Sequence, residues 1–174
     1  MLIIENKDFF HQDTDDQILI RSLIEDDVTD SYVKGINDSQ VNTYLVGARR
    51  KKQTLEDVRS FVKLNQDDDT GFLFGLFVGH MLRGTCRLHE INKEAAYLGI
   101  AIFDRNIWGK SYGTSLIKAV SYYGVHHLGL EKVEALIHED NIASIKAFEK
   151  ANFSTNKSKD ELKDGIRFKY FVYN

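Results

Sequence analysis

Cysteine is nearly absent from this chain. Cys86 is the only one in 174 residues, so no internal disulfide can form and a four-cysteine zinc site is excluded by count. Such usage suits a reducing compartment. An excess of basic charge is missing as well: 23 Lys and Arg stand against 26 Asp and Glu, giving a net charge of -3. With so little cationic surplus to displace phosphate counterions, neither nucleic acid nor an anionic membrane is an expected partner. The start, MLIIENKDFF, has early acidic residues and lacks the basic opening and apolar core of a signal peptide. The longest apolar stretch, GFLFGLFVGHML from Gly71, falls short of the ~20 residues that span a bilayer and reads as a buried strand. A cytoplasmic location is expected. Repeats, low-complexity tracts and Ser- or Gly-rich linkers are absent too, so residues 1–174 are read as one domain, with 1–16 as an extension before a core of about 17–173.

What is present is a globular composition, 43% hydrophobic and 28% charged, arranged in periodic segments. ILIRSL from Ile18 alternates as a strand does, and the acidic stretch after it predicts a helix through Val28, Tyr32 and Val33. Thr54 is placed to cap a helix that carries Leu55, Val58, Phe61 and Val62 on one face. GFLFGLFV from Gly71, GTCRLHEI from Gly84 and AAYLGIAIF from Ala95 read as three strands whose short connections make them antiparallel neighbours. Turn-rich DRNIWGKSYG then leads into a helix with Leu116, Val120 and Gly124 stacked four apart. Lys132 to Ile137 reads as a buried strand, and Asn141 as the cap of a helix with Ile142, Ile145 and Phe148 inward. Asn152 suits the left-handed residue that ends that helix, and two last strands fall around Phe153 and from Arg167 to Tyr173. The fold class is α/β in the α+β sense.

From Ile100 to Ile137 the order is strand, glycine loop, helix, strand, which is one right-handed parallel crossover. That geometry aims the loop amides and the positive end of the helix at a spot beyond the strand's carboxyl end, where phosphate would bind. Gly109 and Gly113 permit close approach and Lys110 adds charge; a glycine turn with no ligand fits these residues equally well.

With its neighbours included, NIWGKSYGTSL resembles the acetyl-CoA loop of the GNAT superfamily, Q/R-x-x-G-x-G/A, and NIASIKAFEKANF is similar to that family's later stretch N-x-x-S/A-x-x-x-Y/F-x-K-x-G-F. Both lie in the right order with the right elements between, and the likeness covers about residues 17 to 173. Its nearest look is to the branch containing ribosomal-protein N-terminal acetyltransferases. The resemblance implies the GNAT fold: a mixed, mostly antiparallel sheet of about seven strands, helices on both faces, and one parallel βαβ crossover at the acetyl-CoA site. It implies acetyl-CoA as co-substrate, no metal, and transfer to a primary amine by direct attack in a ternary complex. The residues it assigns to acetyl-CoA are Ile100, Ala101, Ile102, Trp108, Gly109, Lys110, Ser111, Tyr112, Gly113, Thr114, Asn141, Ser144, Phe148 and Lys150. Departures are Asn106 for Gln or Arg, Ser111 for Gly or Ala, Asn152 for Gly, Phe148 for a Tyr that protonates the leaving thiolate, and Tyr97 for a Glu.

In that reaction the oxyanion takes a backbone N–H from about Ala101 or Ile102, and Asn141 holds the pantetheine arm. Ser144 is the expected proton donor to the thiolate. His138 is the first candidate base, ahead of Glu90, His89 and Glu139, all near strand ends. His126 and His127 are read as solvent-facing or interior, and Trp108 as either a cofactor contact or a plug for the loop. Two other readings remain: a dinucleotide binder, on G-x-S-x-G followed by Glu139 and Asp140, and a non-catalytic acyl-CoA-binding domain, on the missing Tyr and Glu. The acceptor, a polypeptide N-terminus or a small amine such as a polyamine, an amino sugar or an antibiotic, would be chosen by the segment from Asp26 to Leu64. The acidic run Asp67 to Asp69 could draw a cationic amine, and the protein could be a monomer or a homodimer.

Overall fold

The computed structural model describes residues 3–4, 18–67 and 70–174, and these hold one nine-stranded sheet. Strands β1 (Ile3–Ile4), β2 (Ile18–Ser22), β3 (Phe72–Val78), β4 (Met81–His89) and β5 (Ala95–Ile102) follow one another, each antiparallel to the last. β6 (Lys132–His138) lies parallel to β5, and β9 (Ile166–Tyr173) antiparallel to β6. The short β7 (Ser154–Thr155) and β8 (Glu161–Lys163) share the other edge of β9. The two strands beyond the seven expected are β1 and β8. β8 turns into β9 through Asp164 and Gly165, both left-handed at φ of 52° and 77°, the backbone that a two-residue Asp-Gly hairpin requires.

Helices cover both faces. α5 (Tyr112–His126) and α6 (Ile142–Lys150) bury Leu116, Ile117, Val120, Ile145 and Phe148 against Leu88, Leu98, Val133, Ala135 and Phe171 of the sheet. On the opposite face α1 (Asp30–Ile36) and α4 (Leu55–Gln66) bury Tyr32, Ile36, Val58 and Val62 against Leu73, Phe77 and Phe103. The short α2 (Ser39–Asn42) and α3 (Val46–Arg49) lie between α1 and α4. Thr54 caps α4 in a reciprocal box with Asp57, each side chain meeting the other's backbone N–H.

The first helix begins later than its acidic pattern predicts. Glu25–Asp27 form a separate 3-10 turn, Val28 is extended, and Thr29 caps a helix that starts at Asp30. Asp27 explains the break, because its carboxylate is held by Arg21 of β2 in two 2.6 Å contacts. Gly35 then lets α1 settle on Phe103: a Cβ there would meet the Phe103 carbonyl oxygen at 2.9 Å. Of the acidic run, Asp67 ends α4 and the other two aspartates lie outside the described residues.

Candidate active site

β5 and β6 pair over only three residues each, Ala95–Tyr97 with Lys132–Glu134. Beyond that vertex β5 continues to Ile102 bonded only to β4, and β6 continues to His138 bonded only to β9. The two parallel strands part into a V that opens toward their carboxyl ends. A gap inside a sheet exposes backbone groups that want partners, so the V is a place built for an extended, amide-bearing ligand.

The direction of each β5 amide follows from one bond. Phe103 N–H donates to the Arg83 carbonyl at 3.1 Å, and Ala101, two residues earlier and in register with Thr85, faces β4 in the same way. Ile100 and Ile102 therefore point their amides into the gap. This corrects one expectation: the Ala101 amide belongs to the β4 ladder, and its side chain packs with the α1–α4 core. The gap-facing carbonyl of Ile102 is taken by the Trp108 indole, whose Nε1 donates at 2.9 Å. Trp108 thus staples the loop to the end of β5, while its ring is 42% exposed.

At the mouth of the V stands the amino end of α5. Its first intrahelical bond runs from the Ser115 N–H to the Ser111 carbonyl, so the amides of Gly113 and Thr114 have no acceptor in the helix. Fifteen residues of aligned dipoles add positive potential there, beside the exposed Lys110. Gly109 sits at φ 74°, with open space where a Cβ would be. Ser111, as helix cap, also adopts a left-handed φ of 65°. Ser111→Gly should relieve that strain by about 1 kcal/mol and raise Tm by about 2–4 °C in a thermal melt; an unchanged Tm would mean the loop holds serine without cost. The Tyr112 ring is buried in the core, so this residue offers the site its backbone only.

The amino end of α6 faces the same mouth from β6. Asn141 Oδ1 accepts from the Ser144 N–H at 3.1 Å, leaving Nδ2 without a partner among the described residues. The Ser144 hydroxyl is likewise unbonded and half-buried. His138 ends β6 with its Nδ1 accepting the Asp140 N–H at 3.1 Å, so the neutral ring carries its proton on Nε2. It is set to donate, and the lone pair that a base would use is occupied. Tyr44, from the turn before α3, packs on this imidazole at 4.9 Å and donates its hydroxyl to the Asp140 carbonyl. Nothing in the sequence motifs points to Tyr44, because the contact spans 96 residues.

Four expected site residues lie elsewhere. Glu90, at φ 54°, belongs to the turn joining β4 to β5, at the amino end of β5 and about 20 Å along the strand from the loop. His89 ends β4 just before that turn and lies over Tyr97 at 6.0 Å. Phe148 is 1% exposed and packs edge-on to Phe153 at 4.9 Å, so its ring is core and not cofactor surface. Lys150 is exposed on the last turn of α6, about 12 Å from its amino end. Glu139 pairs loosely with Arg167 at 3.7 Å, and His127 stacks on Tyr123 at 5.5 Å. Among the described residues no group of His, Cys, Asp and Glu could hold a metal, and no helix is long and apolar enough to cross a membrane.

The dinucleotide reading fails on topology. β5–β6 is the single parallel pair among the described strands, whereas that fold needs several consecutive parallel units. A mixed sheet whose one parallel crossover carries an anion-ready helix end, beside strands that part, offers a seat for an extended ligand that bears phosphate.

Comparison with known proteins gives the family. Residues 17–154 match the acetyltransferase (GNAT) domain. The chain is 30% identical over 154 residues to the probable N-acetyltransferase YjcK of Bacillus subtilis strain 168, covering 86% of this chain and 69% of that one. In fold it is similar to the spermidine N-acetyltransferase of Vibrio cholerae in complex with CoA and spermine, with TM-score 0.76, 17% identity, and 90% and 95% of the two chains covered. A similar likeness holds for RimL, a ribosomal L7/L12 alpha-N-protein acetyltransferase in complex with CoA, with TM-score 0.76, 16% identity, and 90% and 93% covered. The chain belongs to the GNAT acetyltransferase family. It is an acetyl-CoA-dependent N-acetyltransferase with acetyl-CoA as co-substrate.

Proposed function

We propose that the acceptor is the α-amino group of a polypeptide chain. The observation that carries this reading is Gly99, which lies exposed in the middle of an interior strand with nothing within 4 Å of where its Cβ would be. Strand alternation sets Gly99 on the face away from α5 and α6, so the V has an open floor on the side opposite the anion-binding helix end. An open floor admits a backbone. A small polycation would instead call for several free carboxylates, and two carboxylates from the neighbouring elements are engaged: Asp38 with Arg105 at 3.3 Å and Glu139 with Arg167 at 3.7 Å. RimL, by its name an alpha-N-protein acetyltransferase, shares the fold, which supports this reading.

On this reading the pyrophosphate sits on the amides from Gly109 to Thr114, and the pantetheine arm runs back along β5 against Ile102 and Ile100, with Asn141 Nδ2 on its other side. Four residues of β5 span about 13 Å, which brings the thioester close to Gly99. The neutral amine attacks the carbonyl carbon, the oxyanion accepts from the Ile100 N–H, the nitrogen gives its extra proton to water as the carbonyl re-forms and the C–S bond breaks, and the thiolate takes a proton from the Ser144 hydroxyl, which solvent restores. Ser144→Ala should lower kcat roughly 10- to 100-fold with acetyl-CoA affinity unchanged; kcat within twofold of wild type would remove Ser144 from the mechanism.

The acceptor is tested by incubating the protein with acetyl-CoA and, separately, a Ser- or Ala-initiated peptide, spermidine and an aminoglycoside, and measuring acetylation by mass spectrometry. Faster acetylation of the peptide at its α-amine supports the reading. Preference for spermidine or the aminoglycoside would replace it with small-amine acetylation.

A further inference from the structure

One buried carboxylate stands where the two strands begin to part. Glu134 is 8% exposed and lies on β6 in register with Tyr97 of β5, the last paired position before the V opens. Its neighbours Val133 and Ala135 point into the core under α5 and α6, so Glu134 points to the other face, the one that carries the open floor at Gly99. Two residues of β5, about 6.6 Å, separate the level of Tyr97 from that of Gly99, within the combined reach of the Glu134 side chain and one water.

The contacts of Glu134 are one-sided. Lys132 Nζ lies 2.8 Å from Oε1, and the Tyr170 hydroxyl donates a short hydrogen bond to the same oxygen. Oε2 has no protein partner among the described residues. Removing a carboxylate from water is costly, and a group that served only to tie β6 to β9 would use both oxygens. Other titratable groups facing the cluster are Tyr97 from β5, Lys159 over the Tyr170 ring at 4.9 Å, and, around Tyr97, Glu90 from the β4–β5 turn and Glu161 and Lys163 from β8. Burial pushes the Glu134 carboxyl up, but the hydrogen bonds from Lys132 and Tyr170 outweigh it and leave it below the ordinary carboxylate value. It is therefore ionised at neutral pH, when an incoming amine is mostly ammonium.

The geometry points to Glu134 as the carboxylate that takes the acceptor's proton: its free Oε2, through one water, removes a proton from the ammonium at the floor of the V, and Tyr170 and Lys132 hold Oε1 so that Oε2 stays aimed there. The ammonium becomes the neutral amine, its nitrogen bonds to the acetyl carbon, the thiol departs, and Glu134 returns its proton to solvent. The same water could attack the thioester in the absence of any amine, giving acetate and CoA thiol with its proton again passing to Oε2. The inference rests on the thioester placement proposed above but not on which amine is the acceptor.

Glu134→Gln keeps the shape and loses the base. Its kcat/KM with a Ser-initiated peptide or with spermidine, and its acceptor-free hydrolysis of acetyl-CoA, should each fall by about 100-fold or more at pH 7, and acetyl-CoA affinity should stay within twofold. The amine reaction should recover as pH rises through the pKa of the amine, which a merely structural loss would not do. If Glu134→Gln does not fold, Tyr170→Phe carries the test: losing a hydrogen bond to the charged form raises the Glu134 pKa, so the acid limb of kcat/KM should move to higher pH. Hydrolysis and transfer within threefold of wild type across the pH range, or an unmoved acid limb in Tyr170→Phe, would overturn the assignment. A misplaced thioester seat is told apart by Gly109→Val, which would then leave acetyl-CoA binding intact.

Discussion

Gly109→Val should weaken acetyl-CoA binding by roughly tenfold or more, read by calorimetric titration, with little change in the rest of the fold. Two effects add. At φ 74° a β-branched residue sits in the left-handed region at a cost of about 1–2 kcal/mol, about one factor of ten in affinity if the loop must relax to avoid it. Beyond that, the space around the missing Cβ is empty of protein, so a valine side chain would stand where the backbone must come close to phosphate. The absence of any neighbour within 4 Å means that core packing is not disturbed, which separates this loss from general unfolding. Unchanged affinity would show that the pyrophosphate does not rest on this loop.

Phe148→Ala should destabilise the protein by about 3–5 kcal/mol in urea unfolding, a large share of the stability of a domain this size. The ring is 1% exposed and meets Phe153 at 4.9 Å and Phe171 at 6.1 Å, so its removal opens a cavity between α6 and the sheet that rigid neighbours cannot fill. Phe148→Tyr makes the complementary point. Its hydroxyl would enter this apolar cluster, costing about 1–3 kcal/mol, and would not restore a thiolate acid. A loss below 1 kcal/mol for the alanine variant would mean that the ring is not part of the core.

Local signals served where chemistry is local. Thr54, Asn141 and Asn152 were legible because capping and left-handed turns depend on one side chain and its nearest backbone, and all three act as expected. The crossover from β5 to β6 was legible because strand, glycine loop and helix follow one another without interruption. Val28 falls outside the helix because the ion pair of Asp27 with Arg21 of the preceding strand competes with helix propensity, and no periodicity reports such a pair. Glu90 was misassigned for a related reason: a residue at a strand end reads the same at either end of the sheet, and only the register with Tyr97 and β6 shows which end holds the site. Glu134, Tyr170 and Tyr44 could not be found by motif, since each matters through contacts that cross 36 to 96 residues.

The direction of the β5 amides is the most particular consequence of this fold, and it is open to direct measurement. Hydrogen exchange of the isotope-labelled protein, followed amide by amide with and without acetyl-CoA, reads it directly. If acetyl-CoA lies in the V between β5 and β6, the Ile100 and Ile102 amides slow markedly on its addition, while Ala101, already bonded within the β4 ladder, changes little. Protection confined to other strands, with Ile100 and Ile102 unaltered by saturating acetyl-CoA, would contradict the account.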